Sequence, residues 1–123
     1  MAVKVVDASA LAALIFAEPD SAGVEARLTG HYLIAPALLP FEMSSVCLKK
    51  VRRNPAQRDA ILARFAMFVA LAIELYPIDP AAVVQVAEVL SLTAYDASYL
   101  LLARQMRAEL VTLDAQLQNA AAI

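Results

Sequence analysis

Four carboxylic acids stand apart from the ordinary surface charges of this chain. Asp7 follows Val3-Lys4-Val5-Val6, and Glu42 lies within Leu38-Leu39-Pro40-Phe41-Glu42-Met43. Asp96 ends Leu92-Thr93-Ala94-Tyr95-Asp96, and Asp114 closes Leu110-Val111-Thr112-Leu113-Asp114. Each adjoins the expected carboxyl end of a strand or the expected start of a helix, where open α/β sheets place their ligands. Four carboxylates converging on one sheet edge repel one another unless a cation sits among them. Oxygen donors with no His or Cys beside them suit a hard ion such as Mg²⁺ or Mn²⁺. Such an ion withdraws charge from phosphoryl oxygens and lowers the pKa of a bound water, which is the chemistry of phosphodiester hydrolysis. A carboxylate outside the coordination shell can orient or deprotonate that water. The sequence carries no G-x-S-x-G elbow, Cys/His pair or P-loop that would supply another nucleophile.

Each acid also has a plainer role open to it. Asp7 or Ser9 can cap the first helix, and Asp114 the last. Thr93-x-x-Asp96 resembles a capping box with Asp in place of Glu, and helix N-termini favour carboxylates in any protein.

The basic residues are unevenly placed. The formal net charge is −2, yet Lys49, Lys50, Arg52, Arg53, Arg58 and Arg64 gather six of the ten cations into one short segment. Steps of three or four residues from Glu42 lead through Ser45 or Val46 to Lys49 and then to Arg52 or Arg53. One helix face thus joins an acid of the cluster to cations able to hold a phosphate backbone. Lys49, Lys50, Arg52 and Arg53 are the candidate contacts to such a backbone; a solvated charged face is the plainer alternative.

The elements that must position these groups follow from periodicity and punctuation. Val3 to Val6 is a short β-branched run suited to a strand buried on both faces. Ala10 to Ala17 is a helix stopped by Pro19, and Asp20 or Ser21 caps a second that ends near Leu28 and Gly30. His31 to Ala35 is a second strand, and Leu38 to Arg53 a helix with Pro40 in its first turn. Asn54-Pro55 opens a helix to about Val69. Ala72 to Tyr76 is either a third strand or the end of that helix. Asp79-Pro80 opens a helix to about Leu90, and Thr93 opens another whose apolar faces include Tyr95, Leu100, Leu101 and Met106. Glu109 to Leu113 is the last strand, with a short helix from Asp114. Alternating strands and helices imply a parallel sheet with helices on both faces.

Length and composition bound the rest. The 123 residues make one domain with a proper core. The hydrophobic fraction of 62% points to an apolar patch covered by a partner or a second copy. The longest uncharged stretch, residues 28–41, is broken by Gly30, Pro36 and Pro40 and is too short to span a bilayer. The first residues build a strand with no charged segment leading into an apolar one, so no signal peptide and a cytoplasmic location are expected. Cys47 and His31 are each alone, which argues against a disulfide, a thiolate metal site or a catalytic triad.

The stretches Val-Val-Asp-Ala-Ser-Ala-Leu at 5–11, Ala-Pro-Ala-Leu-Leu-Pro-Phe-Glu at 35–42, Leu-Thr-Ala-Tyr-Asp-Ala-Ser-Tyr-Leu at 92–100 and Leu-Val-Thr-Leu-Asp at 110–114 resemble the four acidic motifs of PIN-domain ribonucleases. The VapC-type toxins of bacterial and archaeal toxin–antitoxin pairs are the most similar group, and the resemblance spans essentially the whole chain. It implies a PIN-like α/β fold with a central parallel sheet of about four to five short strands. It also implies a Mg²⁺- or Mn²⁺-dependent endoribonuclease. Asp7, Glu42, Asp96 and Asp114 match the acidic metal-binding and catalytic positions, and Ser9 and Thr112 match small hydroxyl residues that line such sites. A homodimer is implied, and a small antitoxin whose tail covers the active site while its other end binds operator DNA. Pro40-Phe41 departs from the uninterrupted apolar helical turn commoner before the second acid.

Other classes fit less well. A receiver domain wants an acidic pair after the first strand and a late lysine, whereas Asp7 has no acidic neighbour and no lysine follows Lys50. A haloacid-dehalogenase-like phosphatase needs a second Asp where this chain has Ser9. The rival that remains keeps the fold and the acids but acts as a protein-binding module with little or no cleavage. Neither the RNA target nor its cleavage site is spelled out by the residues.

Overall fold

The computed structural model describes residues 2–122. Strand β1 (Val3–Val6) is followed by helices α1 (Ala8–Ile15) and α2 (Ser21–Leu28), strand β2 (Tyr32–Pro36) and the long helix α3 (Leu39–Arg53). A 3₁₀ turn at Pro55–Gln57 leads into α4 (Arg58–Val69), then β3 (Ile73–Tyr76), α5 (Pro80–Leu90), α6 (Ala94–Met106), β4 (Glu109–Val111) and α7 (Ala115–Ala121). The four strands form one sheet in the order β3-β2-β1-β4, and all three pairings are parallel.

β1 sits inside the sheet because its residues have no polar face to offer water. Val5 and Val6, which point to opposite sides of the strand, are both fully buried, so helices cover both faces. Lys4 is the exception and is neutralised locally. Its ammonium donates to the Arg27 carbonyl at 2.6 Å and lies 3.3 Å from Glu109, its partner in the β4 register. Helix α6 packs against β1, β2 and β4, while α1 packs against α2, α3 and α4.

The chain runs from β1 outward to β2 and β3, then returns through α6 to place β4 on the other side of β1. The connections therefore diverge between β1 and β4, and the crevice beyond their carboxyl ends is the ligand position of open α/β sheets.

Several boundaries differ from those the periodicity predicts. α1 begins at Ala8 rather than Ala10, because Asp7 caps it directly and its carboxylate accepts from the Ala10 N–H. Asn54 N-caps no helix with its side chain; its amide donates back to the Lys50 carbonyl and closes α3. Pro55 then makes a 3₁₀ turn, and α4 starts three residues later. Residues 73–76 are a strand, paired with β2 through four registered residues. β4 stops at Val111, because the Thr112 and Leu113 backbone turns into the crevice instead of continuing the ladder. Tyr95, expected on an apolar face of α6, is 63% exposed.

The first turn of α3 separates core from surface sharply. Leu39 is fully buried while Phe41 is 79% exposed. Leu39→Ala should lower unfolding free energy by about 2–5 kcal/mol, whereas Phe41→Ala should stay within about 0.5 kcal/mol of the parent. Urea midpoints of the two variants check this; a large loss on removing Phe41 would place that ring in the core.

Candidate active site

The site begins where β1 ends. Asp7 is 5% exposed, and three donors hold its carboxylate. Ser9 donates its hydroxyl to Oδ1 at 2.7 Å, the Ala10 N–H donates to the same oxygen at 3.0 Å, and the Thr112 hydroxyl donates to Oδ2 in a short bond. A carboxylate offers about four lone-pair positions, so one acceptor position on Oδ2 stays open. Ser9 and Thr112 also bind the β4 exit. The Leu113 N–H donates to the Ser9 hydroxyl at 2.9 Å, and the Asp114 N–H to the Thr112 hydroxyl at 3.0 Å. The two hydroxyl residues thus clamp the end of β1 to the end of β4 across the crevice.

Asp114 caps α7, accepting from the Leu117 N–H at 2.8 Å, and remains exposed. Asp96 is half-buried in the first turn of α6. Its N–H is capped by the Thr93 hydroxyl at 3.1 Å. Among the described residues no bond returns from the Thr93 N–H to the Asp96 carboxylate, so the reciprocal half of a capping box is not made. Glu42, in the first turn of α3, accepts at 2.5 Å from the phenol of Tyr99, a ring 1% exposed.

Electrostatics tie the four together. Asp7 holds its proton more tightly than an ordinary Asp, first because of burial and finally because of Asp114, against the three hydrogen bonds that favour its ionised form. Burial likewise raises Glu42, opposed by the Tyr99 bond and reinforced by Asp7 and Asp96. Asp96 is raised by burial, then by Asp114 and Asp7, with Thr93 opposing. The Tyr99 phenol is pushed far up by burial and by Glu42, and so stays a neutral donor.

Among the described residues no three His, Cys, Asp or Glu side chains are arranged to hold a metal ion directly. The donors are nonetheless all oxygen and mutually repelling. Mg²⁺ keeps several waters and takes one or two carboxylates, a demand this donor set fits. Asp7, Glu42, Asp96 and Asp114 are the residues that could hold such an ion, directly or through water.

The basic segment divides. Lys49 shares a cavity of about 420 Å³ with Glu42, Ser45, Val46, Phe41 and Tyr95, along the face that the helical spacing from Glu42 traces. Lys50 turns the other way, paired with Glu18 at 2.8 Å and lying 5.0 Å over the Phe16 ring. Arg52 and Arg53 are exposed in the last turn of α3 and do not line the cavity. Tyr99 was not singled out by sequence reasoning, although its spacing of three from Asp96 puts both on one face of α6. His31 precedes β2, at the amino ends of the strands and away from the acids at their carboxyl ends.

The PIN domain model matches residues 4–123 of the sequence. The chain belongs to the PIN domain family. PIN domains are generally nucleases and typically use a divalent metal. This PIN domain is similar in structure to the crystal structure of PAE2754 from Pyrobaculum aerophilum, with a TM-score of 0.78 and 26% sequence identity over 97% of this chain and 84% of that one. No curated protein matches the sequence.

A measurable pH dependence follows for the PIN domain without metal. Asp7, Glu42 and Asp96 keep their protons to higher pH in the fold than at their ordinary values of 3.8 and 4.5. Ionising them costs the folded state more than the unfolded chain, so stability falls as pH rises from those values through the raised ones. Glu109 works in the opposite sense. Its pKa is lowered by the Arg27 hydrogen bond and by Lys4, and its contribution is lost only as pH falls below 4.5 toward the lowered value. In chelator, the melting temperature should rise on acidification from neutrality toward the carboxylate range and fall in stronger acid. A steady fall from neutrality downward would contradict the raised carboxylates.

Proposed function

We propose that this PIN domain is a metal-dependent endoribonuclease that hydrolyses RNA phosphodiester bonds, and that it serves as the toxin of a toxin–antitoxin pair. The observation that carries the nuclease reading is the coupling of Asp7, Glu42, Asp96 and Asp114 at the β1–β4 crevice, where three of the acids have raised proton affinities. Bound Mg²⁺ or Mn²⁺ would supply charge neutralisation at the phosphoryl group and a water of lowered pKa.

The chain's own residues have distinct tasks in this reading. Asp7 is fixed by Ser9, Thr112 and the α1 N-terminus and would have one lone pair left for an ion. Asp96 and Asp114 add charge from the adjoining helix starts. Glu42 is held at Oε1 by Tyr99, which leaves Oε2 to orient or accept a proton from the attacking water. Lys49 draws the phosphate backbone toward Glu42 along α3.

The toxin assignment rests on the resemblance of the four motifs to VapC-type toxins. It carries with it a homodimer, a small antitoxin protein and contact with DNA only through that antitoxin. Exposed apolar side chains supply surface for such partners, including Val84 and Val89 on α5 and Met67 and Val69 at the end of α4. No single helix among the described residues is long and apolar enough to cross a membrane, and no membrane partner is proposed.

Cleavage of RNA should require Mg²⁺ or Mn²⁺ and stop in excess chelator. Asp96→Asn should abolish cleavage while melting no lower than the parent in chelator, since Thr93 and not Asp96 caps α6. Mg²⁺ should raise the melting temperature of the parent by mass action and that of the variant much less. Full activity of Asp96→Asn, or undiminished cleavage in chelator, would overturn the reading.

A further inference from the structure

Two large aromatic side chains stand exposed at the mouth of the site. Phe41 and Tyr95 each immediately precede an acid of the cluster, Glu42 and Asp96, and each lies in the first turn of a different helix. They are 79% and 63% exposed, although the core lies two residues further along each helix, at Met43 and Ala97. Both line the same cavity of about 420 Å³, with Ala8, Leu38 and Val46 as apolar wall and Lys49 and Glu42 as polar groups. Among the described residues Lys49 has no carboxylate partner, whereas its neighbour Lys50 is paired with Glu18.

We propose that Phe41 and Tyr95 form a nucleobase-binding subsite that takes one unpaired base of a single-stranded RNA, with Lys49 holding an adjoining phosphate. The proposal rests on the endoribonuclease reading and adds to it the side chains that take the base beside the cleaved bond. Aromatic faces receive bases of any identity by stacking, and a cation beside them tracks the backbone. A stacked base is unavailable to a regular duplex, so the pair of rings selects against one. The cavity is of the size that small-molecule sites have, which fits a single nucleotide better than a helix of a protein partner. Its charge pattern is also that of a nucleotide: apolar walls for the base, a cation for the phosphate, and the acidic cluster beyond Glu42 where cleavage would occur. With the rings beside Glu42 and Asp96, the base that stacks belongs to a nucleotide next to the cleaved bond.

The test uses 2′-O-methyl oligonucleotides, which cannot be cleaved through their 2′ positions, in buffer with chelator so that binding is read without hydrolysis. Fluorescence anisotropy compares labelled single strands with duplexes of the same sequence over a range of salt. Phe41→Ala and Tyr95→Ala should each weaken single-strand binding by about tenfold, the usual worth of one base–aromatic stack, without changing the salt slope. Tyr95→Phe keeps the ring and should bind as the parent does. Lys49→Ala should weaken binding and reduce the slope of log affinity against log salt by about 0.7. Unchanged single-strand affinity in both alanine variants would overturn the proposal, as would equal losses for duplex and single strand, or no single-strand binding by the parent. Gel filtration supplies one more overturning outcome: dissociation of a self-associated species in the alanine variants would assign the rings to an interface between copies. The nuclease reading is decided separately by chelator-sensitive cleavage, so the subsite can fail while that reading stands.

Discussion

A carboxylate at the end of a central strand, almost fully withdrawn from water, has to be stabilised by what surrounds it. Asp7 is held by two hydroxyls and a helix N–H, and these bonds fix more than its own position. Ser9 and Thr112 receive the N–H groups of Leu113 and Asp114, so the same network joins the ends of β1 and β4. Three hydrogen bonds do not balance the burial of the charge, and proton affinity remains raised. The charge of Asp114 worsens the imbalance, and Asp7 in turn raises the proton affinities of Glu42 and Asp96. The site is therefore a place of stored electrostatic cost, as functional sites commonly are.

Capping a helix and belonging to the acidic cluster are compatible uses of one side chain. Asp7 and Asp114 both cap helices and both belong to the acidic cluster, because a cap uses one oxygen and leaves acceptor capacity on the other. Asp96 is the informative exception. Thr93 does its capping, so the start of α6 has its cap without the Asp96 carboxylate. Glu42 is similar, since its helix starts with Pro40 in the first turn and no side-chain cap, and its hydrogen bond comes from Tyr99 on another helix.

The order of strands and helices was legible because their periods differ and because Asp-Pro, Thr and Gly mark the breaks. The acidic positions were legible because each follows an apolar run that ends abruptly. Residues 72–76 stayed ambiguous because β3 is an edge strand with Glu74 and Leu75 exposed, so burial leaves little pattern there. The split between Lys49 and Lys50 was not legible. Adjacent helix residues point about 100° apart, and the partner of Lys50, Glu18, is distant in sequence. Nor could sequence show that Phe41 and Tyr95 face solvent, since aromatics at helix starts usually enter the core. Tyr99 was not legible either: it is a core residue whose hydroxyl reaches Glu42 from within the core.

The central claim is that the clustered carboxylates around buried Asp7 are poised to exchange protons for a divalent cation. Calorimetric titration of Mn²⁺ into the protein tests it directly, run about one unit above the ordinary carboxylate pKa of roughly 4 in two buffers of different ionisation enthalpy. Metal binding requires ionised ligands and so displaces the protons retained there. The account predicts saturable binding with net proton release at that pH, diminishing as pH rises past the raised values. Absence of Mn²⁺ binding, or binding with no proton release at any pH, would contradict it.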